Sequence, residues 1–176
     1  RLVDDLLFLA KSDADLEQRQ QMHGQVDISE LGWSVGLQFE PVAYEKEVSL
    51  ETDIRPGLHI SGDVTQLRQL VHILLDNACK YAGEGGMTGT VFLRLEAAQT
   101  DCVRMMVRNS GTPIPKEELP HIFERFYRSD KARRREGGFG LGLAIAKSIV
   151  DSHHGILAVQ SDAQNGTVFT VTFQGT

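Results

Sequence analysis

Apolar positions recur first at helical and then at strand spacings, in an order that outlines the whole chain. In residues 1–14, Leu2, Leu6 and Leu9 share one helical face, the pattern of a packed helix, and its start reads as the last turns of a longer one. A polar linker is expected over 15–26. Asp27 with Glu30 forms a capping box for a helix to about Lys46, which Pro41 should kink or break. Residues 48–54 alternate as a strand, Pro56-Gly57 turns the chain, and His59 and Ile60 add a short strand. Asp63 and Gln66 make a second capping box, opening a helix whose buried face is Val64, Leu67, Leu70, Val71, Leu74, Leu75 and Ala78.

Two long strands follow, 90–97 and 102–108, predicted to pair as a hairpin and to end at the tight turn Asn109-Ser-Gly-Thr-Pro113. Residues 116–122 read as a short helix, after which Phe123 and Phe126 should pin a basic loop. A further helix from about Gly140 carries Leu141, Ala144, Ile145, Ser148 and Ile149 on one face and stops at His153-His154-Gly155, with Gly155 in the capping place. The histidine pair reads as decoration of that helix end, since no third metal ligand is near. A final hairpin, 156–161 and 168–173, turns at Asn165-Gly166. The order lacks strict strand–helix alternation. It predicts an α/β two-layer sandwich, a mixed sheet of about five strands with three main helices on one face.

Candidate chemistry gathers at three places. Gly138, Gly140 and Gly142 run directly into the last long helix, where glycine admits close backbone approach and the first amides have no intrahelical partner, so an anion can bind. Asn77, Lys80 and Tyr81 sit at i, i+3, i+4, so an amide, an ammonium and an aromatic ring share one patch. Such groups can ligate Mg²⁺, neutralise phosphate and stack on a base. Asn109, at a strand end beside a glycine, can meet the edge of a flat heterocycle. Taken singly, each feature also fits a plain structural role: a loop closing on a helix, a polar helix end, a turn.

Composition narrows the choice. The chain has 176 residues, 41% hydrophobic content and a net charge of −6, enough for one core and one domain. Residues 124–136 nonetheless hold six basic and three acidic side chains, and a short basic loop in an acidic chain suits a polyphosphate rather than a nucleic-acid surface. No Gly-Lys-Ser/Thr follows the glycines and no strand immediately precedes them, which excludes a nucleotidase phosphate loop and a dinucleotide fingerprint. Cys79 and Cys102 form no metal spacing or disulfide framework, pointing to a reducing compartment. No run of about 18 apolar residues exists to span a membrane. The chain opens without methionine, mid-helix, and is expected to be a fragment.

In combination these stretches resemble the catalytic ATP-binding domain of bacterial sensor histidine kinases, in the superfamily that includes gyrase and mismatch-repair ATPases. Leu74-Leu-Asp-Asn-Ala-Cys-Lys-Tyr81 is similar to the family's N box, Asn109-Ser-Gly-Thr-Pro-Ile114 to its first glycine box, and Phe123-Glu-Arg-Phe-Tyr127 to its F box. Gly138-Phe-Gly-Leu-Gly-Leu143 resembles the second glycine box and Gly166-Thr-Val-Phe169 the closing one. The likeness covers about residues 27–174. Residues 1–14 resemble the end of the second helix of the dimerisation domain, and the variant first box resembles heavy-metal-sensing members.

The resemblance implies a Bergerat-type fold over 27–176, with a lid at about 113–139. It implies ATP or ADP with Mg²⁺ as ligands: Asn77 would hold Mg²⁺, Lys80 would touch phosphate, Tyr81 would stack near adenine and Asn109 would read its amino group. Gly111, Ile114, Phe126, Gly138, Gly140, Leu141, Gly142, Leu143 and Thr167 would complete the nucleotide site. Three positions depart from the family. Asn109 replaces the usual Asp, keeping an acceptor and losing the charge. Pro113 replaces Gly. Ile73 stands where many members carry Asn and hydrolytic relatives carry Glu, which removes a candidate base for water. The same likeness implies a phosphoacceptor histidine outside these residues, a response regulator as partner, and a homodimeric parent anchored in the inner membrane with this domain cytoplasmic. Within the superfamily, a non-transferring nucleotide module is the alternative. A gyrase-like clamp is disfavoured by Ile73, and an anti-sigma-factor serine kinase by residues 1–14.

Overall fold

The computed structural model describes residues 1–14, 24–83, 88–99, 101–128 and 140–176. Helices α1 (Leu2–Ala14), α2 (Ile28–Glu45), α3 (Val64–Tyr81) and α4 (Gly142–Ser152) accompany strands β1 (Gly24–Asp27), β2 (Val48–Ile54), β3 (His59–Gly62), β4 (Gly89–Ala98), β5 (Cys102–Asn109), β6 (Ile156–Asp162) and β7 (Gly166–Gln174). The main sheet runs β2-β4-β5-β7-β6, with β2 parallel to β4 and every other pair antiparallel. The expected mixed five-stranded sandwich is therefore the observed one. Alternation decides its layers: Val91, Leu93 and Leu95 of β4, Met105 and Val107 of β5, and Phe169 and Val171 of β7 are buried. Leu67, Leu70, Leu74 and Leu75 of α3 and Ile145 and Ile149 of α4 complete the same core. Each fully buried side chain of this size contributes about 1.5–3 kcal/mol.

Four local expectations are corrected. The stretch read as linker contains β1, which pairs antiparallel with β3; only Val26 of this strand is a buried hydrophobic, so the strand exists through its partner rather than its own pattern. Pro41 does not break α2. The bond that its missing N–H forfeits would reach the carbonyl of Leu37, an exposed residue whose backbone water can serve. Residues 116–122 make turns and a single 3-10 turn at Leu119–His121, not a helix. Finally, α4 ends on His154, which takes the left-handed conformation (φ 54°), while the Gly155 amide donates to the Val150 carbonyl at 2.9 Å. Gly155 is small for a different reason: a Cβ there would stand 2.9 Å from the Phe173 ring.

Helix α1 packs against α4 and buries Leu9. Among the described residues no helix is long and apolar enough to cross a membrane.

Candidate functional site: the α3–α4 junction and the ends of the central strands

Helix α3 begins at Asp63, whose Oδ1 accepts from the amides of Thr65 (2.8 Å) and Gln66 (3.0 Å). The Asp63 amide, which a full capping box would give to Gln66, goes instead to Nε2 of His153 at 3.0 Å. His153 is a buried clamp rather than decoration: its Nδ1 lies 2.7 Å from the Ile149 carbonyl, so the ring ties the end of α4 to the start of α3. With both helices fixed, the start of α4 meets the middle of α3. A Cβ built on Gly142 would lie 3.6 Å from Ile73 Cγ2, which puts the first turn of α4 against the α3 face that carries Asn77 one turn further on.

At that end of α3, Asn77, Lys80 and Tyr81 are all half-buried. Lys80 Nζ is 2.9 Å from Asp76 Oδ2, so its ammonium is held near the helix terminus by a carboxylate one turn back. Cys79 points the other way, into the core, and burial pushes its thiol up to about 11. Opposite, α4 starts at Leu141, which is buried and offers no side-chain cap to the amides that follow. Gly142 is exposed and Leu143 half-buried, so the helix's positive end opens toward the α3 patch.

The central strands supply the floor. Asn109 and Thr167 face each other across β5 and β7 and are only 3% and 5% exposed. Asn109 Nδ2 donates to the Ser110 carbonyl at 2.9 Å, which leaves Oδ1 as the acceptor of the pair. Gly166 (φ 74°) makes this approach possible, since a Cβ there would come within 2.1 Å of the Asn109 carbonyl oxygen. Gly111 (φ 127°) then turns the chain toward Pro113 and Ile114, both half-buried. The turn after β6 is fastened by Asp162, whose carboxyl is held below its ordinary range first by the Asn165 side chain and then by the Asn165 and Gln164 amides.

The F box reaches the glycines through its backbone. The Phe126 amide donates to the Gly140 carbonyl at 3.0 Å, and a Cβ on Gly140 (φ 73°) would meet the Tyr127 carbonyl oxygen at 2.6 Å. The ring of Phe123 packs edge-on against Phe169, but that of Phe126 is 57% exposed, so only the first of the two phenylalanines anchors by its side chain. Arg125 forms a two-oxygen ion pair with Asp13 of α1 at 2.8 and 2.9 Å, which sequence spacing gave no means of foreseeing. Gly138 lies outside the described residues, as does the lid beyond 128.

Residues 62–176 match the model of the family described as histidine kinase-, DNA gyrase B-, and HSP90-like ATPase. The chain belongs to this ATP-binding family. It is 39% identical over 180 residues to the sensor histidine kinase YkoH of Bacillus subtilis, covering 98% of this chain and 36% of that protein. It is also 39% identical over 176 residues to CusS, a sensor histidine kinase of Escherichia coli, covering 98% and 34%. The chain thus spans about a third of the length of the curated relatives it matches. Among solved structures, the mycobacterial sensor histidine kinase MprB superposes with a TM-score of 0.73 at 30% identity, over 88% of this chain and 98% of that one. Full-length ShkA in complex with AMPPNP gives 0.83 at 27% identity, over 99% and 35%.

Proposed function

We propose that this chain is the catalytic part of a sensor histidine kinase, binding Mg²⁺-ATP and passing the γ-phosphoryl group to a histidine on a separate helical segment. The observations that carry the reading are the uncapped start of α4 set against the α3 face that bears Asn77 and the buried Asn109–Thr167 pair on the central strands. An uncapped helix start suits phosphate, and the Asn109 side-chain oxygen suits an exocyclic amino group.

In this reading Asn77 offers its side-chain oxygen to Mg²⁺, and Lys80 turns from Asp76 toward the triphosphate. Tyr81 lies along the base, and Asn109 accepts from the adenine amino group. The amides of Gly140, Leu141, Gly142 and Leu143 cradle phosphate oxygens, with Gly111, Ile114 and Phe126 at the edge and residues 113–139 as the lid. Bound magnesium would neutralise charge on the phosphates; these residues position them. Ile73 leaves no carboxylate to activate water beside Asn77, which favours transfer over hydrolysis. Of the histidines, His153 is spent on the fold, and the acceptor is assigned to the dimerisation domain, whose second helix residues 1–14 would end. A response regulator would then take the phosphoryl group, in a homodimeric parent anchored at the inner membrane with this domain in the cytoplasm.

Titration of a fluorescent ATP analogue with and without Mg²⁺ tests the site. Asn77→Ala should weaken Mg²⁺-dependent binding about tenfold or more, the loss of one charge-assisted contact. Equal Mg²⁺-dependent affinity in both proteins would remove Asn77 from the site.

A further inference from the structure

Ser161, the penultimate residue of β6, belongs to none of the boxes, yet it is the junction of the pocket floor. Its Oγ accepts from the Ile114 amide at 2.8 Å and lies 2.8 Å from Thr167 Oγ1. Ser161 pairs with Thr167 across β6 and β7, and Thr167 pairs with Asn109 across β7 and β5. A single hydroxyl therefore connects the beginning of the lid with the two buried polar side chains proposed to meet the base.

The hydrogen count makes this junction directional. A serine hydroxyl has one proton and two lone pairs. The Ile114 amide occupies one lone pair, and the only other partner of Ser161 Oγ among the described residues is Thr167 Oγ1. Resting on the ATP-binding reading above, we propose that Ser161 is a positioning residue for base selection: it donates its proton to Thr167 Oγ1, which leaves the Thr167 proton free for an unprotonated ring nitrogen of the base. Beside it, Asn109 presents its Oδ1 as an acceptor, one N–H of its amide being engaged by the Ser110 carbonyl. The floor thus offers one donor and one acceptor side by side. Adenine presents the complement, a bare ring nitrogen next to an amino group. Hypoxanthine and guanine present a ring N–H next to a carbonyl, so the Thr167 contact becomes mismatched, whereas the second Asn109 N–H can still meet the carbonyl. Losing Ser161 frees the Thr167 hydroxyl to rotate and accept, which removes this discrimination and leaves the triphosphate contacts intact.

The experiment measures ATP and ITP affinities, since the two nucleotides share ribose and triphosphate and differ at these two base positions. The wild type should prefer ATP, and Ser161→Ala should narrow the ATP-to-ITP ratio about fivefold or more, the consequence of one mismatched buried hydrogen bond no longer being enforced. Ser161→Thr keeps the hydroxyl and should restore the ratio. In a Thr167→Val background, Ser161→Ala should change the ratio no further, because the two act through one proton. Should Ser161→Ala fail to fold, Ser161→Cys, a far weaker donor, gives the same reading. An unchanged ratio, whether both affinities fall together or neither does, would overturn the proposal and leave Ser161 a purely structural residue. A wild type that binds neither nucleotide would instead sink the ATP reading, and this one with it.

Discussion

Gly166 and Gly140 adopt nearly the same left-handed backbone, φ 74° and 73°, yet they sit in two differently built parts of the pocket. Around Gly166 the floor is continuous with the fold: β5, β7 and β6 are laddered, Asn109 and Thr167 are buried, and Phe169 lies beneath in the core. Around Gly140 the described rim is joined by the Phe126 amide bond, the close approach of Tyr127, and an exposed ion pair from Arg125 to α1. In the proposed reading, base recognition would draw its precision from the same interactions that stabilise the domain, and phosphate coverage would rest on the contacts around Gly140. Those local backbone contacts can change without unfolding the domain.

The sharpest way to break this contrast is to place the same methyl group at both glycines. Gly166→Ala combines a left-handed conformation with a Cβ 2.1 Å from the Asn109 carbonyl oxygen, inside a ladder that cannot shift alone. A loss of about 3 kcal/mol or more is expected, read by chemical denaturation, with nucleotide binding lost alongside. Gly140→Ala meets the Tyr127 oxygen at 2.6 Å on the rim. There the expected cost is about 1 kcal/mol of stability, with a disproportionate loss of ATP affinity as the F box is pushed from the glycines. Equal destabilisation by the two would show that floor and rim are one cooperative unit. Smallest of the set, Asp13→Ala removes the partner of Arg125, an exposed pair expected to contribute only about 0.2–1 kcal/mol, so the melting temperature should scarcely move.

The fold was largely legible because the long elements carry their own periodicity. Helix α3 buries Leu67, Leu70, Val71, Leu74, Leu75 and Ala78 as its spacing predicts, although Val64 in its first turn is exposed, and β4 and β5 alternate cleanly. Legibility failed where the determinant is a partner far along the chain. Strand β1 depends on β3, His153 on the Asp63 amide, and Ser161 on Ile114 and Thr167. Gly155 was assigned to a cap because glycine so often ends helices, whereas the Phe173 ring is what forbids a side chain there. In the site, the glycines and the Asn77 patch were readable from spacing. The Asn109 amide is oriented by a backbone carbonyl one residue on, which no composition encodes.

The central claim is a division of labour, in which this chain holds and positions ATP while the nucleophile lies elsewhere. Incubation with γ-labelled ATP, comparing the 176-residue chain with the same chain joined to the proposed dimerisation domain, tests it most directly. The chain alone should bind ATP, release phosphate very slowly and remain unlabelled. The longer protein should acquire an acid-labile, base-stable phosphoramidate on a histidine outside these residues. Strong labelling of the chain itself, or brisk phosphate release from it, would contradict the account and favour an autonomous ATPase or a serine kinase.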